Sequence, residues 1–74
     1  MGRYLVAIIK DGDMSMIGTD LDDDQIMTGV YEGEEPIQGD MIEIRYRDEN
    51  GNPLEAIGPI VEIFEEDYRG DYTL

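Results

Sequence analysis

The chain has 74 residues, with 19 acids, five bases, no histidine and no cysteine, and a formal net charge of −14. So short a chain is expected to form one domain over residues 1–74, burying only about 60% of the surface its unfolded state exposes. Lack of cysteine excludes disulfides and thiolate metal sites, and lack of histidine removes the commonest general base and transition-metal ligand.

Residues 3–10, RYLVAIIK, read as the first strand. Tyr4, Val6 and Ile8 point one way and Leu5, Ala7 and Ile9 the other, so both faces are apolar, as in a central or barrel strand. DGD at 11–13 signals a hairpin, with MSMIG at 14–18 as its return strand. Thr19 or Asp20 is then placed to cap a short helix, with Asp22, Asp23 and Asp24 in its first turn and Gly29 at its stop. Acids in that position complement the unpaired N–H groups of a helix start. VYEG at 30–33 reads as a short edge strand, and EEPIQGD as a loop.

The second half alternates more sharply. In MIEIRYR, 41–47, Ile42, Ile44 and Tyr46 point inward while Glu43, Arg45 and Arg47 point outward. DENGNP at 48–53 is a turn. LEAIGPIVEIFEE is a strand interrupted at Gly58-Pro59 by a bulge or bend, with Val61 and Ile63 on one face and Ile60 and Phe64 on the other. The tail from residue 68 to 74 is expected to be loosely attached.

Five short strands and one short helix predict a mainly β domain (β or α+β): a small antiparallel curled sheet or an SH3-like, partly open barrel. The stretch QGDMIEIRYRDENGNPLEAIGPIVEI resembles the strand–turn–strand unit of SH3-like and related barrels. That resemblance implies a fold class and carries no function with it.

Most catalytic chemistries lack their parts. Asp48, Asn50 and Asn52 alternate like the start of a calcium loop, but Pro53 and Pro59 stand where the loop needs its glycine and its glutamate. An Asn-Gly turn accounts for the same residues. A glycosidase-type carboxylate pair needs one acid in a desolvated setting, and no acid here has an apolar, cleft-forming context. Nucleophilic catalysis has only Ser15 and the threonines to draw on, without a histidine base. A noncatalytic protein without metal or cofactor is therefore expected. No apolar run approaches the roughly 18 residues of a membrane span, and the N-terminus lacks a signal-peptide pattern, so a cytoplasmic location is expected.

The charge remains to be explained. Design practice aims for a net charge of magnitude about 2–8 in a small domain, and excess charge adds self-repulsion. Anionic membranes and nucleic acid are disfavoured as direct partners, since both would repel this surface. From Asp11 to Glu35 there are nine acids and no base. Asp20, Asp22, Asp23, Asp24, Glu32, Glu34 and Glu35, together with Glu65, Glu66 and Asp67 near the end, are the expected partner-binding acids. Tyr31 among them supplies an aromatic anchor, or else packs over a barrel end. In character the chain resembles phage-encoded DNA mimics and anti-defence inhibitors, including many anti-CRISPR proteins, which are small, acidic and lack catalytic residues. That resemblance implies a protein that occupies the basic, nucleic-acid-binding surface of another protein. Two alternatives stay open: an acidic adaptor or immunity-type protein with a basic partner unrelated to nucleic acid, and a salt-adapted housekeeping domain.

Overall fold

Alternation and pairing together build the protein from four strands. The computed structural model describes residues 2–70 and contains β1 (Gly2–Ile9), β2 (Ile26–Gly33), β3 (Met41–Arg47) and β4 (Pro53–Glu65). Each strand runs antiparallel to its neighbours, and β4 returns to β1, closing a barrel in the order β1-β2-β3-β4. The mainly β architecture agrees with the sequence pattern.

β3 and the first half of β4 form the hairpin that the alternation predicts, in register from Met41 opposite Pro59 to Arg47 opposite Pro53. At Pro59 the strand changes partner: Ile60 pairs with Ile8, and the remainder of β4 runs along β1. The stagger of the barrel is visible in this long strand. Leu5 faces Val30, Val30 faces Arg45 and Arg45 faces Glu55, yet across the closing seam Leu5 faces Glu65. Such an offset tilts the strands and lets a few of them close around a filled interior.

That interior holds Tyr4, Val6, Ile8, Ile42, Ile44, Tyr46, Ala56 and Ile60, with Met27, Tyr31 and Ile63 packed against them. Four of these, Val6, Ile8, Ile44 and Ile60, are wholly shielded from solvent. The outward face of β1 is covered as well, since Ala7 and Ile9 are also buried. The turn after β1 folds back on Ile9, the Gly12 N–H donating to the Ile9 carbonyl at 3.0 Å.

Several local expectations are corrected. No return strand forms at 14–18; Met14–Met16 is a single 3₁₀ turn. The Asp13 carboxylate accepts from both the backbone N–H and the hydroxyl of Ser15, and this local capping bends the chain away from an extended return. The helix expected from Thr19 or Asp20 to Gly29 shrinks to a 3₁₀ turn at Asp23–Gln25 with Asp22 as its N-cap. Asp22 N–H donates to the Gln25 side chain at 2.8 Å, while the Thr19 hydroxyl closes the preceding turn on the Met16 carbonyl. Two turns of helix cannot compete with the open edge of β1 for Ile26, Met27 and Val30, so these residues join an eight-residue strand. Gly29 lies inside that strand instead of ending a helix. A Cβ there would stand 2.5 Å from the Arg45 carbonyl oxygen, so glycine permits the close approach of β2 and β3.

Among the described residues the strand count is accordingly four where about five were expected, and the helical content is two single 3₁₀ turns. The expected sidedness of β4 also changes. The register of β4 against β1 steps twice, between Ile60 and Glu62 and between Ile63 and Glu65, leaving Val61 and Phe64 as extra residues. Ile60 and Ile63 therefore both face the core, and Phe64 is exposed. These bulges bend β4 around its second partner. Gly58 and Pro59 continue the regular register with β3. Of the tail, Tyr68 is held: its N–H donates to the Arg3 carbonyl at 2.9 Å, and the Arg3 guanidinium lies 5.7 Å from its ring centre. Residues 71–74 of the stretch expected to be loose lie outside the described residues.

Candidate acidic interface

Strand geometry decides which acids meet. The β1–β2 hairpin runs from Gly2 opposite Gly33 to Ile9 opposite Ile26. At about 3.4 Å per residue those ends stand roughly 24 Å apart. The acidic stretch 19–35 is threaded along this hairpin, so its two halves lie at opposite ends.

At the Gly33 end, Glu34 and Glu35 follow β2, while Glu65, Glu66 and Asp67 arrive from the last residues of β4, because Leu5 pairs with Glu65. All five are exposed. Their convergence is registered by Tyr4 inside the barrel mouth. Burial pushes its hydroxyl above the usual tyrosine range, and the carboxylates of Glu35, Glu66 and Asp67 push it further, followed by Tyr31. Tyr31 stacks on Tyr4 with ring centres 6.1 Å apart and packs against the core, so its ring closes the barrel end while part of it stays accessible.

Glu32 is exposed at the same end but is not a bare charge. Its carboxylate pairs with Arg45 across the β2–β3 seam and stands 3.8 Å from Arg3 on β1. Along the sequence it is one more acid in a run. The outward alternation of β3 marked Arg45 as a surface cation, but only the pairing of Val30 with Arg45 brings it beside Glu32. Arg3, Glu32, Asp67, Tyr68 and Arg69 with Gly2 line a shallow groove of about 530 Å³. The groove carries both signs of charge, and Asp67 belongs both to it and to the acidic group at this end.

At the opposite end, Asp20, Asp22, Asp23 and Asp24 are exposed in the connection to β2. Asp11 and Asp13 belong to this end too, since Lys10 N–H donates to the Gln25 carbonyl at 2.8 Å. The bond from Ser15 holds the Asp13 carboxyl below the ordinary aspartate range. The expected partner-binding acids thus form two groups at the two ends of the hairpin.

A third feature escaped the sequence. On the outer face of the β3–β4 hairpin, Glu43 and Glu55 sit diagonally, one register step apart. The charge of Glu55, with a hydrogen bond between the two side chains, raises Glu43 above the ordinary glutamate range. Period-two alternation put Glu43 on this face; the hairpin register supplies its neighbour.

Asp48 heads the 48–52 turn, accepting from the N–H of Asn50 and Asn52 at 2.9 Å each and from the Asn52 side chain at 3.1 Å. These bonds, those from Asn52 foremost, hold it below the usual aspartate range. Its lone pairs are thereby committed to the turn. Among the described residues no group of three or more acids is arranged to hold a metal ion. Among the same described residues no charged side chain is buried, and no helix is long and apolar enough to cross a membrane. The chain matches no protein-family model, no curated protein and no solved structure.

Proposed function

We propose that this protein is a noncatalytic acidic binding protein that occupies a basic, nucleic-acid-binding surface of another protein. One observation carries the reading: a net charge of −14 sits on a barrel whose acidic groups stand at both ends of a hairpin roughly 24 Å long. Duplex DNA places one charge per about 1.7 Å of axis, hence roughly 14 over the same length. A lysine and arginine array built for a duplex would find here two acidic groups set about that length apart, without bases to read. Association with such an array is fast and weakens as salt screens it.

The test is capture from a lysate on the immobilised protein at about 50 mM and about 200 mM salt, with duplex oligonucleotide as competitor. Nucleic-acid-binding proteins should be enriched at low salt and released by both salt and duplex. Enrichment indifferent to salt and duplex refutes mimicry. Capture of basic proteins without nucleic-acid-binding character favours the adaptor reading instead. Replacing Asp22, Asp23 and Asp24 by lysine in one variant, and Glu34, Glu35 and Glu66 in another, assigns the contact to one end. If neither variant weakens capture, the acidic ends are not the contact.

A further inference from the structure

The outer face of the β3–β4 hairpin carries apolar side chains that the fold does not use. Met41 is 50% exposed and Ile57 is 52% exposed, and they sit diagonally on one face, since Met41 pairs with Pro59 and Glu43 with Ile57. Ile37 (65% exposed) lies in the turn leading to Met41, a turn closed by the Asp40 N–H on the Ile37 carbonyl at 3.1 Å. Met14 (61% exposed) reaches the same turn: its methyl would stand 3.8 Å from a Cβ on Gly39. Isolated exposed aliphatics are ordinary, whereas a set gathered on joined elements marks a contact surface.

The charges around this face have one sign in excess. Glu43 and Glu55 stand side by side on it, Asp40 closes the Ile37 turn, and Asp11 N–H donates to the Ile57 carbonyl at 2.9 Å. Lys10 stands in the same turn as Asp11 and leaves the acids in the majority. Arg45, the neighbouring cation along β3, is engaged by Glu32. Glu43 and Glu55 share a hydrogen bond and feel each other's charge, so a cation placed between the two carboxyls finds two acceptors there.

We propose that this face docks a cationic amphipathic segment of a protein partner, whose apolar side chains cover Met41 and Ile57 and whose lysine or arginine bridges Glu43 and Glu55. The proposal rests on the reading of a basic partner and adds an apolar contact to the acidic ones. Charge brings the partner in; the aliphatic contacts discriminate between a merely basic surface and an amphipathic one. Methionine suits such a face, because its unbranched side chain adapts to different apolar partners.

The probes are two synthetic peptides of equal length and charge, one a leucine–lysine amphipathic helix and the other built of serine and lysine. Methionine and isoleucine methyl resonances report where each binds. The leucine–lysine peptide should shift the Met41, Ile57, Met14 and Ile37 methyls and bind about tenfold or more tightly than the serine–lysine peptide, the preference expected for withdrawing two half-exposed aliphatics from water. The double variant Met41→Thr, Ile57→Thr should lose that preference and keep its affinity for the serine–lysine peptide. Both positions are exposed and threonine suits a strand, so the fold should hold. Methyl mapping on the unaltered protein tests the proposal even if the variant does not fold. Equal affinity for the two peptides, shifts that bypass Met41 and Ile57, or peptide-free self-association that already covers those methyls would each overturn the proposal. Lysate capture reads separately. Failure there with intact leucine–lysine preference removes the nucleic-acid-binding target and leaves the docking face standing, and the reverse outcome removes the face alone.

Discussion

Gly58→Ala is the sharpest test of the barrel seam. Gly58 pairs with Ile42 on one side, and on the other a Cβ would stand 2.8 Å from the Ile9 carbonyl carbon and closer still to its oxygen. Ordinary contact between carbons needs about 3.5–4.0 Å. The obstacle is backbone, and it is already committed, because the Ile9 carbonyl accepts the Gly12 N–H. Overpacking a core where side chains can yield costs about 1–3 kcal/mol, so displacing a strand should cost about 3 kcal/mol or more. A chain of 74 residues has a total stability of roughly 4–11 kcal/mol. At about 4–8 °C per kcal/mol for a domain of this size, the melting temperature should fall by roughly 12–24 °C. Thermal melts followed by circular dichroism measure this. Gly18→Ala serves as a control: nothing lies within 4 Å of the added methyl, and its φ of 86° leaves a conformational cost of only about 1–2 kcal/mol. If Gly58→Ala melts within a few degrees of the parent, β1 and β4 do not meet as described and the closed barrel is wrong.

Further expectations concern the core and two titrating carboxyls. Ile44→Ala, at a site wholly shielded from solvent, should cost about 2–5 kcal/mol in urea unfolding; a smaller loss means the barrel interior can collapse around the gap. Glu43 has its carboxyl raised in the folded state, so its contribution is present at low pH and is lost as pH rises through that raised value. Glu43→Gln should therefore gain stability relative to the parent as pH climbs from about 4 to 7, and a pH-independent difference would discount the Glu55 contact. Asp48 behaves in the opposite sense. Its depressed value means that its contribution is present above the ordinary aspartate range and fades as pH falls through the folded value. The deficit of Asp48→Ala should be largest near neutrality and close in strong acid, as read from melts across pH.

Period-two alternation made β3 and the first half of β4 legible, because one face of that hairpin is buried and the other is wet: Ile42, Ile44 and Tyr46 lie inside, and Glu43 and Arg45 outside. Where two local solutions competed, the sequence pattern misled. Asp22 to Asp24 cap equally well a helix or a single 3₁₀ turn, and the choice falls to β1, whose open edge recruits Ile26 to Gly33. The bulges at Val61 and Phe64 have no local signature, since they exist to carry one strand across two partners.

Composition by itself determined that the protein is highly acidic and lacks histidine and cysteine, and alternation that it is mainly β. Charge and period are properties of residues and near neighbours, so they need no fold to be read. Only the tertiary structure decided that one continuous acidic stretch divides between two ends of a hairpin. It also decided that Glu32 is neutralised by Arg45 while Glu43 is set against Glu55. Those outcomes depend on cross-strand register and on barrel closure, which join residues distant along the chain, and the energy of a carboxylate is set by whichever neighbour that closure delivers.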